Sequence, residues 1–218
     1  STRFPSRTLF RAVLSGPEGG RFTLMGERYF MPMVGEFNVR NAAMAVAGGL
    51  FAGLSAEEIR TAFTTFQGIA RRQELRGEVR GVKVVDDFAH HPTAIGLAVG
   101  ALRQRYPGSR LWVIFEPRSN TTRRNIFQKE LADALATADC AIVPAIADPE
   151  KFPENERLDP EKLIRDINER GGSASYLATV DEIVDHVAAE AREGDVVAVL
   201  SNGGFGGLHG KLLERLGE

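Results

Sequence analysis

Cysteine is almost missing from the chain: Cys140 is the single one among 218 residues. No intrachain disulfide and no multi-cysteine zinc site can therefore form, in keeping with a reducing compartment. Cys140 itself falls in an apolar, strand-like run and reads as a core residue rather than a nucleophile. No apolar run approaches the roughly 18 residues that a membrane span requires. No signal-peptide pattern opens the chain, so the sequence reads as cytoplasmic with no membrane partner. Two nucleotide-binding fingerprints are also missing. No GxGxxG follows the first parallel-type strand and no GxxxxGK[ST] phosphate loop occurs anywhere, which excludes a self-sufficient P-loop NTPase. Strong net charge is lacking as well, at −2 overall. Without a basic domain or a recognisable module, nucleic acid is not an expected partner.

What is present is a soluble globular composition, 43% hydrophobic and 26% charged, with glycine raised to 23 residues. Charge is uneven: residues 1–80 carry 11 Arg against 7 acidic groups, and residues 81–218 carry 16 basic against 22 acidic groups. The first segment predicts a hairpin over 8–30, with Leu9–Leu14 and Phe22–Phe30 as strands and Ser15–Gly20 as the turn. A helix over Asn41–Leu54 follows, then a second from Ser55, whose side chain and Glu58 match a capping box. Two strands and two helices bury too little apolar surface to form a comfortable domain alone.

From residue 81 the pattern becomes regular. Apolar runs at Val82–Val85, Leu111–Phe115, Cys140–Val143, Ser175–Leu177 and Val196–Leu200 alternate with helical patterns. The helices start with Pro92, with Asp159-Pro160 and with a Thr179/Glu182 capping box, and Gly171-Gly172 closes one of them. Short, uninterrupted hydrophobic strands are strands covered on both faces. The fold class is therefore α/β, a Rossmann-like doubly wound and mostly parallel sheet.

Ligands of such sheets lie outside the carboxyl ends of the strands, which singles out three loops. Asp86-Asp87-Phe88-Ala89-His90-His91-Pro92 puts two acids and two imidazoles in one strand-to-helix turn. Helix capping, a metal site and a nucleotide site all fit these residue types. The nucleotide reading is preferred, because carboxylates accept ribose hydroxyls, an imidazole donates to phosphate oxygens, and no zinc-type spacing is present. Glu116-Pro117-Arg118-Ser119-Asn120-Thr121 reads either as plain capping or as a carboxylate clamp at the N-terminus of a helix. Ser201-Asn202-Gly203-Gly204-Phe205-Gly206-Gly207 is a flexible turn or a stretch of backbone that approaches an anion closely. Upstream, Asn38 and Asn41 stand three residues apart at a helix start, either as a cap or as amides suited to an adenine edge. Arg71-Arg72 are surface charge or a phosphate fork.

In this order, Gly-x-x-Asn-x-x-Asn-Ala, Phe-x-Gly with Arg-Arg, Val-Asp-Asp-Phe-Ala-His-His-Pro-Thr, Phe-Glu-Pro-Arg-Ser-Asn-Thr and Ser-Asn-Gly-Gly-Phe-Gly-Gly-Leu-His resemble the Mur ligase family, from about Phe10 to Leu216. Within the family the motifs are most similar to its peptidoglycan-recycling branch. The resemblance implies a fragment: 1–80 as the C-terminal part of the central ATP-binding domain and 81–218 as the C-terminal Rossmann-like domain, with the N-terminal domain and the rest of the central domain as missing partners. It implies ATP-dependent amide ligation, in which the carboxylate of UDP-N-acetylmuramate becomes an acyl phosphate and is attacked by the amine of the murein tripeptide L-alanyl-γ-D-glutamyl-meso-diaminopimelate. By the same resemblance Asn38 and Asn41 contact adenine, Asp87 the ribose, and Arg72 and His90 the phosphates as catalytic groups. His91, Arg118, Ser119, Asn120, Ser201, Asn202, Gly203 and Gly204 face substrate. The cofactors are ATP and Mg²⁺, with the metal ligands mainly upstream and none assigned here. Phe37 stands where many members carry His. Two alternatives stay open, a ligase that takes L-alanine and a non-catalytic nucleotide- or peptide-binding module.

Overall fold

The computed structural model describes residues 10–218; residues 8 and 9 of the expected hairpin lie outside the described residues. The chain divides into two compact units. One holds the described residues up to Gly68 together with Gly100–Pro107, and the other holds Ile69–Val99 and Gly108–Glu218.

The first unit opens with β1 (Phe10–Gly16), β2 (Gly19–Leu24) and β3 (Glu27–Met31), paired antiparallel in the order β1-β2-β3. The single strand expected over Phe22–Phe30 is in fact two. Leu24 pairs with Glu27 across Met25 and Gly26, whose φ values of 51° and 90° make the two-residue turn that matches strand twist. Helices α1 (Glu36–Phe51) and α2 (Ala56–Thr65) follow. α1 begins five residues earlier than expected, because Gly35 takes the cap position at φ 106°. The alternative of Asn38 as the cap is thereby corrected. Ser55 and Glu58 form the expected capping box on α2. Val39, Ala42, Ala43 and Val46 of α1, at helical spacing, pack on Phe22, Leu24, Tyr29 and Met31 of the sheet and on Ile59 of α2.

The second unit is a six-stranded sheet in the order β4-β5-β9-β6-β7-β8. In chain order the elements from Ile69 on are β4 (Glu74–Val79), β5 (Val82–Asp87), α3 (Pro92–Arg105), β6 (Leu111–Phe115), α4 (Gln128–Leu135), β7 (Cys140–Val143), α5 (Pro160–Glu169), β8 (Ala174–Tyr176), α6 (Val180–Glu190), β9 (Val196–Leu200) and α7 (Leu208–Gly217); α3 is divided after Val99, its residues from Gly100 on counting with the first unit. Only the β4–β5 pair is antiparallel. Strand β4 is an addition to the sequence reading, and the compact unit begins at Ile69 rather than at 81. Strands β6 and β9 are buried at every position, as strands covered on both faces must be. Asp159 caps α5 ahead of Pro160, and Thr179 and Glu182 box α6, as the sequence predicts.

The chain order and the sheet order differ at one place that positions the site. After β8 the chain crosses back and inserts β9 between β5 and β6. The loops after β5, β9 and β6 thus leave three adjacent strands at one edge of the sheet. Among the described residues no helix is long and apolar enough to cross a membrane.

Candidate functional site

The loop after β5 is held by its own acids. Asp87 is 4% exposed; its Oδ2 accepts the Gln73 N–H at 3.0 Å and its Oδ1 the Ala89 N–H at 2.8 Å. Burial pushes the Asp87 carboxyl above the usual range, against the pull of those two amides and of the Arg72 charge. Each oxygen retains a second lone pair. His90 is half-buried, and its Nδ1 lies 2.9 Å from the Phe88 carbonyl. A carbonyl only accepts, so Nδ1 carries the proton and Nε2 is left for a ligand. His91 is exposed and its Nδ1 accepts the Thr93 N–H at 3.3 Å, so it tethers the start of α3, which opens on Pro92.

The two arginines before β4 part company. Arg72 is exposed. Arg71, at φ 58°, turns inward, and its guanidinium donates to Asp86 Oδ2 and to the carbonyls of Ser201 and Gly203.

In the loop after β9, Ser201 is fully buried. Its hydroxyl donates to Glu116 Oε2, in the loop after β6, and accepts the Gly203 N–H at 2.8 Å. Ser201 therefore ties the two loops together from beneath, and its hydroxyl is shielded from ligand. Asn202 Oδ1 is buried without a hydrogen-bond partner, and Gly204 is exposed. Arg118 is 54% exposed and its Nη1 stands 3.8 Å from Glu116 Oε1. Its side chain lies flat on Gly203: a Cβ there would fall 2.4 Å from Arg118 Cδ and Nε. The expected helix at Thr121 is corrected. Residues 119–124 form a turn in which Ser119 Oγ accepts the Thr122 N–H and meets its hydroxyl at 2.8 Å, and α4 starts only at Gln128. The helix dipole thus plays no part at Arg118. Asn120 is exposed, with Oδ1 on Arg123 at 3.1 Å.

In the first unit Asn38 is buried and its amide donates to the Val34 carbonyl at 2.8 Å, while Asn41 is exposed. A cavity of about 680 Å³ in that unit is lined by Arg21, Arg28, Phe30 and Arg60, among others, and by none of the expected site residues.

The structure therefore brings Asp87, His90, Arg118, Ser201, Asn202, Gly203 and Gly204 to one edge of the second unit's sheet. Sequence reasoning missed Glu116, Gln73 and His209. Glu116 stood inside a flagged loop, and His209 closed a flagged motif. The donor set suits a nucleotide: acceptor lone pairs on a buried carboxylate, an imidazole Nε2 and an exposed guanidinium. Among the described residues no group of three or more His, Cys, Asp or Glu is placed to hold a metal ion.

A mostly parallel sheet with polar loops after three adjacent strands defines an α/β domain of the doubly wound class. The model of the Mur ligase glutamate ligase domain matches residues 71–203, more than half of the chain, and the chain belongs to the Mur ligase family. It is 38% identical over 187 residues to the UDP-N-acetylmuramate–L-alanyl-gamma-D-glutamyl-meso-2,6-diaminoheptandioate ligase of Escherichia coli K12, a match covering 85% of this chain and 39% of that protein. It is 37% identical over 180 residues to the UDP-N-acetylmuramate–L-alanine ligase of Bifidobacterium adolescentis, covering 78% of this chain and 33% of that one. The crystal structure of a murein peptide ligase from Psychrobacter arcticus superposes with a TM-score of 0.69 at 32% identity, over 99% of this chain and 45% of that one. The chain thus spans less than half the length of each of these three relatives.

Proposed function

We propose that the chain is the C-terminal portion of an ATP-dependent amide ligase of peptidoglycan recycling, with the residues up to Gly68 from its central domain and the unit that begins at Ile69 its C-terminal domain. The reaction joins UDP-N-acetylmuramate to L-alanyl-γ-D-glutamyl-meso-diaminopimelate. ATP supplies the phosphoryl group that activates the muramate carboxylate. Asp87 offers its remaining lone pairs to ribose hydroxyls, Arg72 offers donors to phosphate oxygens, and His90, with Nδ1 donating to the Phe88 carbonyl, is assigned to the phosphate end of the site with Nε2 as a hydrogen-bond acceptor. Asn41, and Asn38 through its Oδ1, are assigned to adenine. Arg118 holds a carboxylate of the incoming peptide, with Ser119, Asn120, His91 and the backbone of Asn202, Gly203 and Gly204 around it. Ser201 contributes by fixing that backbone from below. Catalysis on this reading is positioning of the amine against the activated carbonyl.

The observation that carries the reading is the insertion of β9 between β5 and β6, which brings the acid–imidazole loop, the glycine loop and Arg118 to one sheet edge. A second reading, L-alanine as acceptor, is favoured by the comparable identity to an L-alanine ligase. Ligation assays with the full-length protein, UDP-N-acetylmuramate and ATP decide between them. Tripeptide is expected to be used in preference to L-alanine. The reverse preference assigns the second reading, and no ligation with either leaves only a binding module.

A further inference from the structure

We propose that Arg71, Asp86 and His209 form a buried positioning network that sets the glycine loop from beneath, so that Arg118 and the loop backbone meet the peptide in register. The inference rests on the ligase reading for its kinetic consequence, but not for its structural one.

The network starts at Arg71. Its Nη2 donates to the Ser201 carbonyl at 2.6 Å and the Gly203 carbonyl at 2.9 Å, drawing both ends of the Ser201–Gly203 turn onto one atom. The residue is clamped in turn. Its N–H donates to Glu74 Oε2 at 2.8 Å, its carbonyl accepts the Phe88 N–H at 2.8 Å, and its guanidinium lies 5.1 Å from the Phe88 ring centre. A left-handed φ of 58° at a non-glycine persists only where surrounding contacts over-determine it. A guanidinium has five donors and no acceptor, so a half-buried one needs a carboxylate. Asp86 supplies it, with Nε to Oδ2 at 3.2 Å.

The other oxygen of Asp86 identifies the third member. Asp86 Oδ1 and His209 Nε2 are both buried, neither has a hydrogen-bond partner, and they face each other at 3.4 Å. Buried polar atoms left open are uncommon and costly. Here each is the natural partner of the other, a closure of a few tenths of an ångström away. Burial, reinforced by the charges of Arg76 and Arg71, holds His209 below its usual pKa despite the Asp86 charge. The ring is thus neutral at neutral pH and serves as a single N–H donor, which leaves the Asp86 charge for Arg71. His209 touches neither loop nor ligand in this chain of contacts. It acts on the loop through Asp86 and Arg71, so it is a positioning residue.

The test uses the full-length protein with His209→Leu, which fills the space without a donor, and His209→Gln, which restores one. Two readouts apply: hydrogen exchange of the segment 201–207, and the KM values for tripeptide and for ATP. We expect His209→Leu to raise exchange in 201–207 at least tenfold while β9 stays protected, and to raise the tripeptide KM about tenfold with the ATP KM unchanged. His209→Gln returns both toward the unmutated values. Unchanged exchange in His209→Leu overturns the network. So does a parallel rise in both KM values that His209→Gln does not reverse, since that is the mark of a general packing defect. If the unmutated protein ligates no tripeptide, the ligase reading fails separately, and the exchange measurement still decides the network.

Discussion

The contact between Arg118 and Gly203 gives the sharpest test of how the second unit holds a peptide. A Cβ added at Gly203 would lie 2.4 Å from Arg118 Cδ and Nε and 2.6 Å from Cζ. No real Cβ tolerates such distances, so Gly203→Ala must expel the guanidinium from its seat. Arg118 is 54% exposed and its ion pair with Glu116 is long, at 3.8 Å, so the side chain can swing into solvent at little cost. The expected change in stability is within about 0.5 kcal/mol, a Tm shift of about 1–2 °C for a protein of this size or larger. The functional change is larger. A charge-assisted hydrogen bond to a carboxylate contributes about 1.5–3 kcal/mol, so its loss raises the tripeptide KM on the order of 10–100-fold, with the ATP KM unaffected. Arg118→Ala removes the same contact, and the two variants act through one guanidinium. The double variant is therefore no worse than Arg118→Ala alone, a coupling as large as the single effect. The assay is ligation by full-length protein at varied tripeptide, with a thermal melt of each variant. Additive effects would show that Gly203 acts through its own backbone. An unchanged tripeptide KM in Gly203→Ala would remove Arg118 from the site.

Two further predictions concern what holds each unit together internally. Burial pushes the Asp195 carboxyl up, but the Arg110 guanidinium, the Arg192 N–H and the Trp112 indole N–H outweigh it and hold the group below the usual carboxylate range. A depressed folded value means that this stabilisation is fully present above the unfolded value and is lost as pH falls through the folded one. Asp195→Asn should lower stability at neutral pH by about 1–3 kcal/mol, discounted because Arg110 is 30% exposed, and should flatten the loss of stability as pH falls below the usual carboxylate range. Urea titrations followed by the fluorescence of Trp112, the single tryptophan, check both, and an acid limb as steep as the unmutated one refutes the assignment. In the first unit, a Cβ on Gly20 would meet Val39 Cγ2 at 2.1 Å, with fully buried packing on either side. Gly20→Ala is expected to cost about 1–3 kcal/mol by overpacking; hydrogen exchange should show it in β2 and α1, and unaltered protection there would contradict the packing described.

The legible part of the fold was the part in which burial writes directly into the sequence. Strands covered on both faces need apolar side chains at every position, so Leu111–Phe115, Cys140–Val143 and Val196–Leu200 were readable to the residue. Edge strand β4 has only intermediate or exposed positions, and an edge exposed to water is served by charge rather than by an apolar run. Its sequence, Glu-Leu-Arg-Gly-Glu-Val, therefore looks like a loop. The two tight turns were hidden for another reason. Met25-Gly26 and Arg80-Gly81 put a bulky first residue at positive φ, where Asn or Asp is the recognisable signal.

The candidate site divides along the same physical line. Chemistry-bearing loops could be found without a structure, because parallel sheets place them after strands. Which side chain of a loop faces the ligand depends on two or three dihedral angles. Arg71 and Arg72 are chemically identical neighbours, yet left-handed backbone at Arg71 and Gln73, at φ 58° and 51°, turns the first inward onto Asp86 and leaves the second exposed. Ser201 and Gly203 illustrate the converse: both sit in a motif that suggests ligand contact, and burial assigns the hydroxyl to Glu116 while the bare Cα becomes the seat of Arg118. Residue type thus reports the chemistry a loop is able to perform, and the division of labour within it is set by packing beneath the loop, where Arg71, Asp86 and His209 lie.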